Sequence, residues 1–289
     1  MKLFRCLLLI IGLCFFASCQ ETERERFTRM VNEWIGKEIK FPEYFVFTVQ
    51  GKDTVDFNYC DAEYKILVYT DSEGCTSCKL QLSNWKQMIA EVDSLTGGRV
   101  SFLFYFHPKD LKELRFYLHR DNFTYPVCFE EDDYLNRLNR FPSDMTFHTL
   151  LLDKENKVVA IGSPVLNPKI KDLYLEIITG KKKETDKSVT TVSTDQSEKD
   201  FGNIPLNERR EHVFRLINTG NKPLVVYDVV TSCGCSKAEY GKEPVCPGET
   251  LDLKVIYHAE DKGRFHKSLR VYCNVEESPL KLTIVGTVE

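Results

Sequence analysis

Between residues 64 and 179 the apolar positions alternate between two periods. Lys65-Ile66-Leu67-Val68-Tyr69 is a short apolar run, the pattern of a buried strand. Leu82, Trp85, Met88, Ile89 and Val92 then fall at helical spacing, which predicts a helix over residues 75–92. Gly97-Gly98 turns into an expected strand at 100–106. Pro108 suits a first helical turn and leads Leu111, Leu114, Tyr117 and Leu118 at helical spacing. A strand at 127–129 and a short helix around Tyr134, Leu135 and Leu138 come next. Strands at 147–152 and 158–161 flank a turn at 153–157, and a last helix is expected over 168–178. Alternating elements of this kind imply an α/β sheet with helices on both faces.

The flanking regions read differently. Phe27, Met30, Val31, Trp34 and Ile35 share one helical stripe, so residues 20–40 are expected to form an amphipathic lead-in helix packed on the α/β part. Its acidic residues argue against a membrane-surface helix. Residues 45–55 read as a hairpin around Gly51. Residues 181–199 are polar and almost without large apolar side chains, a linker composition; Val189 and Val192 could add a short edge strand to the next domain. From 200 to 289, runs at 212–217, 224–230, 251–257, 268–272 and 280–285 alternate with turn signals, which predicts an all-β part of sandwich type. The expected boundaries are 1–19 signal, 20–40 helix, 41–180 α/β, 181–199 linker and 200–289 all-β.

The N-terminus bears on compartment. Lys2 and Arg5, the apolar run 7–16 and Phe16-Ala17-Ser18-Cys19 have the basic, apolar, small-residue order of a secretory signal. Ala17-Ser18 before a cysteine resembles a bacterial lipobox, although Phe16 replaces the usual Leu. The resemblance implies cleavage before Cys19, its acylation and a membrane tether. By resemblance to lipoprotein sorting signals, Gln20 in the next position implies the outer membrane, with the soluble part expected to face the periplasm. The chain has 289 residues, 42% of them hydrophobic, enough for two domains after a signal is removed. The net charge of −4 becomes −6 without Lys2 and Arg5. With no basic patch interleaved with aromatics, nucleic acid is not an expected partner.

Eight of the 11 cysteines lie beyond Cys19, and an oxidising compartment permits disulfides among them. Cys75-Thr76-Ser77-Cys78 sits between the expected strand and helix, the setting in which Cys-x-x-Cys performs redox chemistry. A helix N-terminus would stabilise a thiolate at Cys75. A zinc site needs four ligands, and no second pair or His-x-x-x-His exists to complete one; neither metal nor cofactor is expected. Cys60 and Cys128 carry no motif and admit a bridge between them. Cys233-Gly234-Cys235 places two thiols on one face of an extended strand. They could hold copper(I), form a redox or structural disulfide, or bridge to Cys246 and Cys273. A direct Cys233–Cys235 bond closes a small, reducible ring.

The strand before Cys75-Thr76-Ser77-Cys78, the helix after it, and Leu150-Leu151-Leu152-Asp153 with Lys157-Val158-Val159 resemble thioredoxin-like domains of the envelope-anchored TlpA/ResA type. That resemblance implies Cys75 as nucleophile and Cys78 as resolving cysteine. Three positions depart from the family pattern. No proline occupies the cis-proline slot near Thr146-Phe147, Pro142 coming several residues too early. Gly74 replaces an aromatic, and Tyr69 stands where many members carry a buried acid. His148 is a candidate proton carrier near the dithiol.

Phe201-Gly202-Asn203-Ile204, Asn218-Thr219-Gly220, Ser232-Cys233-Gly234-Cys235, Pro247-Gly248-Glu249 and Gly263-Arg264-Phe265 resemble, in order, a bacterial envelope domain family of unknown function, similar in fold to immunoglobulin-like domains of the ASH/Hydin group. The expected fold class is therefore a thioredoxin-like α/β domain followed by an all-β immunoglobulin-like sandwich. The expected function is a membrane-anchored oxidoreductase that uses Cys75 and Cys78 on thiols and disulfides of envelope proteins. The alternatives are a non-catalytic binding or assembly lipoprotein on a degenerate thioredoxin scaffold, and copper handling through Cys233 and Cys235.

Overall fold

Residues 23–72, 80–182 and 189–289 are described in a computed structural model of the chain. Among them, the apolar runs of the N-terminal part assemble into a seven-stranded mixed sheet. Its strands are β1 (Phe47–Val49), β2 (Asp53–Val55), β3 (Tyr64–Thr70), β4 (Val100–Phe106), β5 (Val127–Phe129), β6 (Thr149–Leu152) and β7 (Val158–Ile161), in the order β2-β1-β5-β4-β3-β6-β7. The centre is parallel, β3 with β4 and β4 with β5. The β6–β7 pair joins β3 antiparallel, and the β1–β2 hairpin joins β5.

Side chains alternate across a strand, and β3 shows the consequence. Ile66 and Val68 enter one apolar cluster while Leu67 and Tyr69 enter the other. The first cluster holds Trp85 and Met88 of α2 (Leu82–Thr96), Leu114 and Leu118 of α3 (Leu111–Arg120), and Tyr174 and Ile178 of α5 (Pro168–Thr179). The second holds Trp34 of α1 (Glu23–Trp34) and Leu135 of α4 (Tyr134–Asn139). Both faces of the sheet are thus covered, which is why β3 and β4 read as unbroken apolar runs. Two helix starts carry side-chain caps: Asp110 accepts from the Lys112 and Glu113 amides, and Asn167 accepts from Lys169 ahead of Pro168.

Three expectations change. The lead-in helix ends at Trp34. Gly36 (φ 81°) turns the chain, and the Gly36 and Ile39 amides donate to the Val158 and Asn156 carbonyls, so residues 35–40 run beside β7. The helix expected over 75–92 is not continuous: Gln81 is left-handed (φ 47°, ψ 35°) and α2 starts after it, running on to Thr96. The strand expected from 147 begins at Thr149, because the Asp144 carboxylate accepts from the Thr146 amide (3.0 Å) and closes a 3-10 turn over Met145–Phe147.

The C-terminal part holds two four-stranded sheets. One orders β12 (Ser236–Tyr240), β13 (Thr250–His258), β10 (Arg209–Asn218) and β8 (Val192–Thr194); the other orders β11 (Val226–Thr231), β14 (Gly263–Cys273), β15 (Leu280–Val288) and β9 (Glu198–Ile204). All pairings are antiparallel except β9 with β15. Both sheets contribute to one apolar cluster, with Phe214, Leu253 and Val255 from the first and Leu269, Val271 and Ile284 from the second. Val192 opens β8, a short edge strand of the first of these sheets, and residues 198–199 begin β9.

The two parts touch. Arg120 at the end of α3 pairs with Glu260 (2.7 Å), and the Tyr272 hydroxyl donates to the Leu166 carbonyl (3.3 Å). Among the described residues no helix is long and apolar enough to cross a membrane.

Candidate redox site between the two parts

The chain leaves the sheet at the end of β3, where the Tyr69 amide donates to the His148 carbonyl (2.9 Å) and the His107 amide to the Thr70 carbonyl (2.8 Å). It re-enters described structure at Leu80. Cys75 and Cys78 fall between these points, outside the described residues, as does Cys19. A cavity of about 200 Å³ opens at this place. Its near wall is formed by Asp71, by Gln81 ahead of α2, by Trp85 of α2, and by Met145 and His148. Its far wall is formed by Thr231, Ser232, Ser268 and Arg270 of the C-terminal part.

His148 and Asp71 are the titratable groups of the near wall. His148 is the more buried of the two. It is 6% exposed. Its Nε2–H donates to the Pro142 carbonyl at 2.6 Å, because a carbonyl can only accept. Nδ1 is then the nitrogen that takes up or releases a proton. It lies 3.9 Å from the Asp71 carboxylate, close enough for an ion pair once the ring is protonated. The Tyr69 ring packs edge-on against the imidazole (centroids 5.2 Å apart). The pair is built by the ladder between β3 and β6, which sets Asp71 just beyond the end of β3 and His148 at the mouth of β6.

Tyr69 is itself neutral: burial first, then its hydrogen bond to Asp133 (2.7 Å), pushes the phenol far above its usual range. A buried carboxyl lies elsewhere on the same sheet. Glu130, 6% exposed just past β5, accepts from the Leu135 amide (3.1 and 3.2 Å), and burial raises its pKa despite that bond. Its position directly after Val127-Cys128-Phe129 is the only sequence signal for it. At the slot near Thr146-Phe147, residues 145–147 form the 3-10 turn; among the described residues the one cis peptide bond precedes Pro279, in the C-terminal part.

The other cysteines divide by environment. Cys60 is exposed and Cys128 buried, and both are free, so the bridge between them that the sequence admitted does not form. Burial, reinforced by Glu130, pushes the Cys128 thiol up to about 12. Burial likewise raises Cys273 to about 11, while Cys246 is free and exposed. Cys233 and Cys235 form a disulfide with Cα atoms 5.3 Å apart. Cys233 is fully buried and Cys235 is 9% exposed; the Cys233 sulfur lies 3.2 Å from the Ser236 hydroxyl. In this form they offer no thiolate to a soft metal. Among the described residues no group of three or more His, Cys, Asp and Glu side chains could hold a metal ion.

Sequence reasoning identified His148 and the cysteines, but not Asp71, Gln81 or the far wall. Thr231, Ser232, Ser268 and Arg270 reach the cavity through tertiary packing; the motif that contains Ser232 gave no sign that it would face the N-terminal part.

No curated protein matches this chain. Among solved structures, a protein of unknown function from Porphyromonas gingivalis W83 is similar over 36% of this chain and 49% of its own, at 18% identity and TM-score 0.32; the present chain spans about half the length of that protein. A Bacteroides thetaiotaomicron protein assigned provisionally as a protein disulfide isomerase is similar over 50% of this chain and 87% of its own (16% identity, TM-score 0.38). Peroxiredoxin Q from Xanthomonas campestris is similar over 49% and 94% (13% identity, TM-score 0.34). At such identities and TM-scores these likenesses carry no argument about activity. Residues 192–288, from β8 to the end of β15, match the family described as "Protein of unknown function (DUF1573)".

Proposed function

We propose that this chain is a membrane-tethered envelope lipoprotein that carries out thiol–disulfide exchange, with Cys75 as nucleophile, Cys78 as resolving cysteine and Cys19 as the acylated anchor. On this reading the N-terminal part is a thioredoxin-like domain. The C-terminal part is an immunoglobulin-like sandwich that walls the reaction cleft, and the substrates are thiols and disulfides of envelope proteins. The observation that carries the reading is the cleft: the residues flanking the Cys-x-x-Cys segment, Asp71 before it and Gln81 after it, both line it beside His148.

The chemistry follows from the parts. The Cys75 thiolate attacks a substrate disulfide, forming a mixed disulfide and releasing one substrate thiolate. Cys78 then attacks the Cys75 sulfur, closing the Cys75–Cys78 bond and releasing the second. His148, with Nε2 held by Pro142, accepts the thiol proton at Nδ1 while Asp71 stabilises the imidazolium. Activity against a model disulfide peptide tests the proposal. Cys75→Ser is expected to abolish exchange, while Cys60→Ser keeps it. A wild-type chain inert toward the peptide would instead favour the binding-scaffold alternative, consistent with the 3-10 turn at residues 145–147.

A further inference from the structure

Alternate residues of a strand share a face. On β14 this puts Arg264, His266, Ser268 and Arg270 in one row on the outer face of the sheet, opposite the core-facing Phe265, Leu269 and Val271. Arg270 lines the cleft described above. Arg264 and His266 line a second cavity of about 420 Å³ farther along the same strand. In the next strand, Lys281 of β15 pairs in register with Arg270. Like charges directly opposite one another destabilise a sheet, yet no acid offsets this pair. Arg264, Arg270 and Lys281 are all exposed, and among the described residues none of the three makes an ion pair. The carboxylates of this face have other partners. Asp228 of β11 accepts from the Val229 amide (2.9 Å), and Asp200 of β9 accepts from the Gly202 amide (2.8 Å). Glu289 accepts from the Asn203 side chain. Glu198 and Asp200 stand across β15 from the row, in register with Thr283 and Val285. A strip of positive charge is left along β14 and the start of β15, on a chain whose net charge is −4.

We propose that this strip docks an extended acidic peptide segment of a partner protein, laid along β14 with one end at the cleft. An extended peptide repeats every two residues, as the row does. Carboxylates at its alternate positions therefore meet Arg270 with Lys281, then the Ser268 hydroxyl, His266 and Arg264. From Arg264 to Arg270 the strand spans about 20 Å at about 3.3 Å per residue, the length of a peptide of about seven residues. Hydrogen bonds between a carboxylate and a guanidinium or ammonium are stronger than neutral ones, and a carboxylate set between Arg270 and Lys281 also removes their repulsion. The acids of β9 repel the same peptide and so confine it to β14. The inference asks nothing of Cys75 and Cys78 and does not depend on the exchange reaction.

The test uses the whole chain from Gln20 onward at low ionic strength, where exposed charges are least screened. The probe is the fluorescein-labelled peptide Glu-Thr-Glu-Thr-Glu-Thr-Glu. Fluorescence anisotropy is expected to show saturable binding. Replacing every Glu of the peptide by Gln is expected to weaken it at least about tenfold, and so is the Arg270→Gln, Lys281→Gln double variant. The Lys52→Gln, Lys154→Gln double variant, which removes the same charge from exposed sites on the N-terminal part, is expected to bind as wild type does. The proposal is overturned if wild type does not bind, if the Gln peptide binds equally, or if the two double variants have the same affinity. In that last case only the field of the whole molecule is at work. The Arg270→Gln, Lys281→Gln variant is also expected to unfold in urea at a midpoint no lower than wild type, since it relieves the like-charge contact. A clear fall would make the two residues structural and overturn the proposal as well.

Discussion

At the scale of single residues, the same side-chain type takes opposite roles according to its surroundings. Cys128 and Cys273 are packed in apolar clusters, and burial holds their thiols at about 12 and 11; Cys60 and Cys246 are exposed. With the disulfides intact at pH 8, a thiol reagent is expected to modify Cys60 and Cys246 within minutes and to spare Cys128 and Cys273 until the chain is unfolded, because the thiolate is the reactive form. Peptide mass mapping reads this directly, and rapid labelling of Cys128 would contradict the packing described. Trp34 shows the same dependence on context. It is 1% exposed, stacked on Phe141 (centroids 5.5 Å apart) and covered by Lys37. Trp34→Ala is expected to cost about 3–5 kcal/mol in urea unfolding; a loss below about 1 kcal/mol would mean that α1 is not part of the core. The sequence stripe picked out Trp34 correctly, but it also included Ile35, which is 44% exposed, since Gly36 ends the helix before the stripe can continue.

At the scale of elements, how far the chain was legible depended on whether periodicity or a turn decided the outcome. β4, β5 and β7 match their expected bounds, because buried strands between two helical layers must be apolar throughout. β12 escaped notice: Ser236-Lys237-Ala238-Glu239-Tyr240 alternates, but of its inward positions only Tyr240 is a large apolar residue, Ser236 and Ala238 being small. The break at Gln81 was invisible too, since no glycine announces that left-handed residue. Asn218-Thr219-Gly220 carried its own explanation. The buried Asn218 amide donates to the Lys222 and Val245 carbonyls while its oxygen accepts from Thr190, and a Cβ at Gly220 would overlap the Thr190 hydroxyl. Gly220→Ala is accordingly a disruptive change. Glu130, at the junction of β5 and α4, gives a pH signature. Its folded pKa is raised, so its favourable contribution is complete below about 4.5, the unfolded value, and is lost as pH rises through the folded value. The stability of Glu130→Gln relative to wild type is therefore expected to improve from pH 4.5 to pH 7.5. A constant difference across that range would show that the carboxyl is not perturbed.

At the scale of the whole molecule, the cleft lies between two cores joined by polar contacts that include Arg120–Glu260 and Tyr272–Leu166. Arg120 and Glu260 are both more than two-thirds buried at the junction, and the hydrogen bond to Asp121, then that to Glu260, raises the guanidinium pKa against the effect of burial. Glu260→Ala is expected to cost on the order of 1–3 kcal/mol, since it leaves that cation short of a partner. By calorimetry this should lower the melting temperature by several degrees, and an unchanged transition would mean that the two parts do not depend on each other. No sequence pattern predicts this docking. His148 and both cysteine pairs could be read from type and spacing, but the packing that sets His148 and Ser232 around one cavity depends on contacts between residues more than 100 apart in sequence, as in the Tyr272 hydroxyl with the Leu166 carbonyl.

The central claim is that Cys75 and Cys78 form a reversible redox pair. The measurement that tests it most directly is a redox titration of the chain from Gln20 onward, with alkylation and mass mapping of those two residues and a pH titration of the Cys75 thiol. The account predicts reversible cycling at a potential between those of thioredoxin (about −270 mV) and the periplasmic oxidants (about −120 mV), with a Cys75 pKa well below about 8.5. A pair locked as a disulfide across that range, or a Cys75 that titrates as an ordinary thiol, would contradict it.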